Sequence, residues 1–421
     1  MPTGERLVVM GQGYVGLPLA VRAAEAGFDV VGYDVNETKV ALLAASTSPV
    51  EDISDERLRA ALDSGRYRPS AEAEDTKGFD IAVISVPTPL REGTPDLSYI
   101  ETAAEVLAAG LTPGACVVLE STTYPGTTTE LVAPILENGS GLTAGVDFDL
   151  GYSPERIDPG NALWRFENTP KVVSGINDRS RHRVQAFYDA LVEQTVPVSS
   201  TAAAELTKLL ENTFRHVNIA LVNELAMFAN ELGIDVWEAI DAASTKPFGF
   251  MRFNPGPGVG GHCLPIDPRY LSWQVRRATG HTFRFVELAN DINDHMPDYV
   301  VQRVVEALNR VQLPVNGQRV LLLGLAYKKN TGDARESPSH PIANQLLNLG
   351  AQVMAADPHV LDSQVPPGVR RVELTGEVVA SAAIVVALVD HDAFDTEVIT
   401  TNARHILDTR RWLTGDNVEY L

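Results

Sequence analysis

Residues 7 to 34 leave the chain little freedom. Leu7-Val8-Val9-Met10 is an unbroken apolar run, which reads as a parallel strand buried on both faces. It enters Gly11-Gln12-Gly13-Tyr14-Val15-Gly16 and then a helix that Gly27 stops. Phe28 to Tyr33 reads as the next strand, and Asp34 closes it. Strand, GxGxxG, helix, strand and acid together form the fingerprint of a dinucleotide site on a doubly wound α/β sheet. The glycines allow a tight turn and bring a pyrophosphate close to the helix N-terminus, where unpaired amide groups point at it. Asp34 is suited to accept hydrogen bonds from the adenosine ribose, which favours NAD over NADP. Gly11, Gly13, Tyr14, Val15, Gly16 and Asp34 are therefore candidate cofactor residues. Lys39 is either a surface lysine or a neighbour of the adenosine end.

The chain has 421 residues, too many for one ordinary core, so two or three domains are expected. No apolar run reaches the roughly 20 residues that span a bilayer. The first strand begins with no leader before it, and only Cys116 and Cys263 occur, far apart, which points to a reducing cytoplasm rather than a disulfide framework. No Cys/His spacing suggests a metal. A formal net charge of −21 argues against nucleic acid or an anionic membrane as partner. An anionic substrate would need a local cluster of Lys and Arg.

Further strands are expected at Ile81 to Pro89, with a stiff turn at its C-terminal end, and at Ala115 to Thr122, Phe148 to Tyr152 and Lys171 to Gly175. Ligands in an open α/β sheet sit at the carboxyl ends of strands, which draws attention to Pro87, Thr88 and Thr122. Cys116 lies inside an apolar strand and reads as core. Pro49 to Thr76 is polar and helical in texture, with no chemistry assigned. Residues 1–198 read as one doubly wound domain. Thr201 to Leu232 reads as a long helix with Leu206, Leu209, Leu210, Phe214, Val217, Leu221, Leu225 and Phe228 at three- and four-residue steps. Lys208 and Asn212 share one of its faces. So long and apolar a helix is expected to link domains or build a dimer interface, which sets 199–315 apart as a central region. From Arg319 a second βαβ pattern begins, giving a third region at 316–421. It lacks GxGxxG. Its first strand is followed by Tyr327-Lys328-Lys329-Asn330 and Arg335 before a helix, a basic cluster suited to phosphate.

Pro255-Gly256-Pro257-Gly258-Val259-Gly260-Gly261-His262-Cys263-Leu264-Pro265-Ile266-Asp267 cannot be a helix or a regular strand. It is a shaped loop with a thiol on it. On the loop alone, Cys263 is equally a nucleophile or a buried structural thiol.

Taken together, the fingerprint, Ser153-Pro154-Glu155, Lys208 with Asn212, the glycine–cysteine loop and Lys328 to Ser337 resemble the UDP-glucose/GDP-mannose dehydrogenase family. The resemblance covers nearly the whole chain. It implies two Rossmann-like domains joined by a long central helix, a homodimer or higher oligomer, and NAD-dependent oxidation of a nucleotide-diphosphate sugar at C6 through a Cys263 thiohemiacetal and thioester. It further implies catalytic roles for Cys263, Lys208, Asn212, Glu155 and Asp267. Substrate contacts would fall to Glu155, Arg156, Lys208, Asn212, Arg252, Gly258, Gly260, Tyr327, Lys328 and Arg410, and a cofactor contact to Arg335. The residue matching Arg252 can come from the partner subunit in this family.

His262 and Ile266 stand where UDP-glucose dehydrogenases usually carry serine and lysine, and Tyr124 to Thr128 and Ser153 to Gly160 resemble the branch acting on UDP-N-acetylglucosamine or UDP-N-acetylmannosamine. His262 touches the sugar or only shapes the loop. UDP-glucose and dTDP-glucose stay open as substrates. A two-electron alcohol dehydrogenase would not need Cys263, and a nucleotide-sugar sensor would not need Cys263, Lys208 and Glu155.

Overall fold

The computed structural model describes residues 4–50, 52–91, 93–157, 161, 163–261 and 264–421. The chain divides into two compact units, Met1–Glu211 and Asn212–Leu421.

In the first unit, strands β1 (Arg6–Met10), β2 (Asp29–Tyr33), β3 (Tyr67–Ser70), β4 (Ile81–Ile84), β5 (Cys116–Leu119) and β6 (Asp149–Tyr152) make a parallel sheet in the order β3-β2-β1-β4-β5-β6. Side chains alternate across the sheet, so a continuous apolar strand must feed two cores. Leu7 and Val9 join one buried cluster with Leu17, Val21 and Phe187, while Val8 and Met10 join the other with Ile100, Leu107 and Leu136. The sheet is thus covered on both faces. Cys116 is fully buried, and burial pushes its thiol up to about 12.

Two readings of this unit need correction. The segment expected to be helical from Pro49 to Thr76 holds a helix at Asp55–Asp63 but also β3, an edge strand in which Tyr67 and Ser70 are buried and Arg68 is exposed. Pro69 has no amide hydrogen and is tolerated there because the strand is at the edge. Lys171–Val173 does form a strand, but it pairs in parallel with Thr195–Pro197 as a separate two-stranded sheet.

The second unit repeats the plan. Strands β7 (Arg319–Leu323), β8 (Gln352–Ala356), β9 (Arg370–Arg371), β10 (Ile384–Ala387), β11 (Ile406–Asp408) and β12 (Val418–Tyr420) form a parallel sheet in the order β9-β8-β7-β10-β11-β12. Val320 and Leu322 face one core, Leu321 and Leu323 the other. Three of these strands, β9, β11 and β12, were not anticipated.

A helix of 31 residues, Thr201–Glu231, runs from the end of the first unit into the second. Its apolar residues do not form the single buried stripe their spacing suggests. Leu209, Val222 and Ala226 are buried, but Leu206, Leu210, Phe214, Leu221, Leu225 and Phe228 are exposed. Among the described residues, no helix is long and apolar enough to cross a membrane.

Candidate active site

The first unit carries the dinucleotide end. A Cβ on Gly16 would lie 1.9 Å from the Gly11 carbonyl oxygen, so the turn closes only with glycine there. A Cβ on Gly13 would meet nothing within 4 Å, leaving open the place where a pyrophosphate would approach. Asp34 sits at the end of β2 and is nearly buried. Its Oδ2 accepts from the Gln12 amide at 2.9 Å and from Lys39 Nζ at 2.7 Å, and its Oδ1 from the Asn36 amide at 3.0 Å. Lys39 is therefore ion-paired with Asp34, its side chain 30 % exposed. Pro87, Thr88 and Thr122 follow the carboxyl ends of β4 and β5. These residues fit an NAD pyrophosphate and ribose.

Glu155 lies just past β6 and is 7 % exposed. Its Oε1 accepts from the backbone N–H of Arg156 at 2.7 Å and of Ile157 at 2.6 Å. Its Oε2 accepts from Lys171 Nζ at 2.9 Å. The same ammonium bonds Glu120, at the carboxyl end of β5. Burial alone would raise Glu155, but Lys171 and these donors bring it below the ordinary carboxyl range. Arg156 turns onto Glu211 at 2.7 Å and the Pro170 carbonyl at 2.6 Å.

Glu205, in the second turn of the long helix, is fully buried. It accepts from the Gly126 amide at 2.6 Å, the Thr128 amide at 2.9 Å and the Thr128 hydroxyl at 2.6 Å. It thereby fastens the Tyr124–Thr128 turn to the helix that carries Lys208 three positions on. Burial pushes its carboxyl up, opposed by these donors. Lys208 and Asn212 are 8 % and 6 % exposed.

In the second unit, Asn212 Nδ2 donates to Asp267 Oδ2 at 2.5 Å. Asp267 is buried and opens the helix Asp267–Thr279. The glycine loop is pressed onto its neighbours. A Cβ on Gly260 or Gly261 would come within 2.9 Å or 2.8 Å of Tyr327, and one on Gly256 within 2.8 Å of Arg410. Gly258 has φ +132° and packs on Pro338 and Asn293. The Gly256 amide donates to Asn223 Oδ1 at 2.9 Å, and Asn223 Nδ2 to Asn293 Oδ1 at 2.9 Å. The loop thus brings Gly256, Gly258, Gly260, Tyr327 and Arg410 together. Lys328 is half-buried in the segment after β7. Arg335 pairs with Asp333 at 2.8 Å with its side chain 55 % exposed. Arg252 is exposed and shares Asp241 with Arg411. Cys263 and His262 lie outside the described residues, as do Asp158, Pro159 and Gly160.

Sequence reasoning passed over Lys171, Glu120, Glu205 and Asn223. A lysine opening an apolar strand and an acid ending one were the available signals. Among the described residues, no group of three or more His, Cys, Asp and Glu side chains is placed to hold a metal.

Sequence models of the UDP-glucose/GDP-mannose dehydrogenase family match along the chain: the NAD binding domain over residues 5–219, the central domain over 202–295 and the UDP binding domain over 321–415. The chain is 36 % identical to a UDP-N-acetyl-D-mannosamine dehydrogenase of Pyrococcus horikoshii, over 99 % of this chain and 98 % of that one. It is 38 % identical to a UDP-N-acetyl-D-glucosamine 6-dehydrogenase of Pseudomonas aeruginosa, over 84 % and 83 %. The solved UDP-D-ManNAc dehydrogenase structure from Pyrococcus horikoshii superposes with a TM-score of 0.89 at 34 % identity, covering 99 % and 98 % of the two chains. The chain belongs to the UDP-glucose/GDP-mannose dehydrogenase family of NAD-dependent nucleotide-sugar dehydrogenases.

Proposed function

We propose that this chain oxidises the C6 hydroxyl of a UDP-linked N-acetylhexosamine to the uronic acid, consuming two NAD+ and one water. The observation that carries the reading is the bond from Asn212 to Asp267, the carboxylate four residues after Cys263. Asn212 follows Lys208 by one helical turn in sequence, and Asp267 follows Cys263 by four residues, which supports the reading. Both relatives named above act on UDP-N-acetylhexosamines, which supports the substrate class.

NAD+, held by the first unit, would supply the hydride acceptor for each of the two oxidations. Lys208 supplies positive charge where the C6 hydroxyl loses its proton and an oxyanion develops. The Cys263 thiolate adds to the aldehyde carbon, forming a C–S bond and a thiohemiacetal. That adduct still carries one C–H hydrogen, so a second oxidation gives a thioester. Water then breaks the C–S bond and returns the thiolate, while Glu155 accepts a proton from the water. Asn212 holds Asp267, and the pair orders the lysine and the water. Arg156, Arg252, Gly258, Gly260, Tyr327, Lys328 and Arg410 are assigned to the nucleotide sugar, and Pro87, Thr88, Thr122 and Arg335 to the cofactor.

The regions 1–198, 199–315 and 316–421 are assigned to NAD binding, the helical centre and nucleotide-sugar binding. The exposed stripe from Leu206 to Phe228 supports a homodimer built on the long helix. A reactive thiol suits a reducing cytoplasm. Parallel assays with UDP-N-acetylglucosamine, UDP-N-acetylmannosamine, UDP-glucose and dTDP-glucose test the substrate. Turnover confined to the glucose nucleotides would overturn the N-acetylhexosamine reading.

A further inference from the structure

Two carboxyl groups and one ammonium meet inside the first unit almost without water. Lys171 Nζ bonds both Glu120 and Glu155, and the three side chains are 4 %, 0 % and 10 % exposed. Fully ionised, the trio would hold one uncompensated negative charge. A buried unpaired charge is not sustained; such a group takes a proton instead.

Hydrogen bonding decides where that proton sits. Glu155 has two backbone donors on Oε1 in addition to the lysine. Glu120 has the lysine, while its Oε2 has no hydrogen-bond partner among the described residues. Three donors stabilise an anion better than one. The anion therefore belongs on Glu155 and the proton on Glu120. Two aromatic rings complete the enclosure, Tyr188 at 5.2 Å and Phe166 at 5.5 Å from Nζ. The Tyr188 phenol is kept neutral by burial. The Arg156 guanidinium is engaged by Glu211 instead.

We propose that Lys171 and Glu120 are positioning residues for the hydrolytic step: Lys171 holds Glu155 as an oriented carboxylate, and Glu120, carrying the proton, lets the lysine remain charged at that depth. This rests on the reading of Glu155 as acceptor of the water proton. The acid–base balance agrees. Burial pushes Glu120 up to about 8, while Lys171, despite its own burial, is held charged by the two glutamates. Glu155 consequently stays ionised into the acidic range. Without Lys171, desolvation dominates at Glu155 and its pKa rises.

The test is the pH profile of steady-state NADH formation with UDP-N-acetylglucosamine and UDP-N-acetylmannosamine. In Lys171→Met the acid limb is expected to move up by about one pH unit or more, a roughly 10-fold loss at a pH below the limb. A covalent sugar–enzyme thioester should accumulate, visible by intact mass. Lys171→Arg, which restores the cation, should bring the limb back toward wild type. Should Lys171→Met not fold, Lys171→Met combined with Glu120→Leu replaces the buried pair by apolar groups and should show the same shift. An acid limb left in place in a folded Lys171 variant, with no adduct, overturns the proposal. If wild type forms no uronic acid from these sugars, the parent reading fails instead.

Discussion

Asn212 and Asp267, 55 residues apart in sequence, are joined by a 2.5 Å hydrogen bond between two buried side chains. The amide lies one helical turn from Lys208 and the carboxylate four residues beyond Cys263. Asn212→Ala removes a donor from a buried carboxylate. That is expected to cost about 1–3 kcal/mol of stability, read by urea unfolding. Turnover should fall on the order of 100-fold, as when one oriented donor is lost from an active site. Full turnover in a stable Asn212→Ala variant would separate this pair from the chemistry.

The two thiols should behave differently. Burial pushes Cys116 up to about 12, so it is not a thiolate at neutral pH. A thiol reagent at pH 7.5 should titrate one cysteine in the native protein and two after unfolding. Cys263→Ser should abolish the native reaction and leave the one seen on unfolding.

Asp34 should govern cofactor choice. Its carboxylate holds the Gln12 amide and Lys39 while occupying the ribose position of the fingerprint. Asp34→Ala is expected to weaken NAD binding by about 10- to 100-fold, the worth of a charged hydrogen bond. NADP binding should suffer less, narrowing the preference. Parallel titrations with NAD and NADP read this directly.

Asp357 should make the second unit acid-sensitive. Burial would raise its carboxyl, but His391 and the Leu325, His359 and Val360 amides hold it well below the ordinary range. A lowered folded-state pKa contributes stability that is present above the unfolded value, near 3.9, and is lost as pH falls below it. Asp357→Asn should therefore lower the melting temperature at pH 7. The gap from wild type should shrink as pH falls below about 4.

Gly261 has φ +88° and a Tyr327 ring atom 2.8 Å from where its Cβ would be. Gly261→Ala must displace the tyrosine or the loop. Nucleotide-sugar KM should rise about 10-fold or more while NAD affinity is kept, since a misplaced binding element costs about that much.

Much of this was readable from residues alone, for physical reasons. Strands such as Leu7–Met10 and Leu321–Leu323 are buried on both faces and cannot be mistaken for surface. Gly11 to Gly16 specify one turn. Tyr67–Ser70 escaped because an edge strand needs only Tyr67 and Ser70 inward, with Arg68 left to solvent. The long helix was legible but its faces were not. Leu206 to Phe228 look like core until the fold shows Leu209 and Val222 turned inward instead. Lys171 and Glu120 could not be paired from sequence, because 51 residues separate them and the strand that Lys171 opens belongs to a different sheet from β5.

The most direct measurement is NADH released per sugar when limiting UDP-N-acetylhexosamine is consumed to exhaustion. Two NADH per sugar in wild type, lost in Cys263→Ser, is the predicted result. One NADH per sugar, or two in the serine variant at full rate, would contradict a thioester route through Cys263.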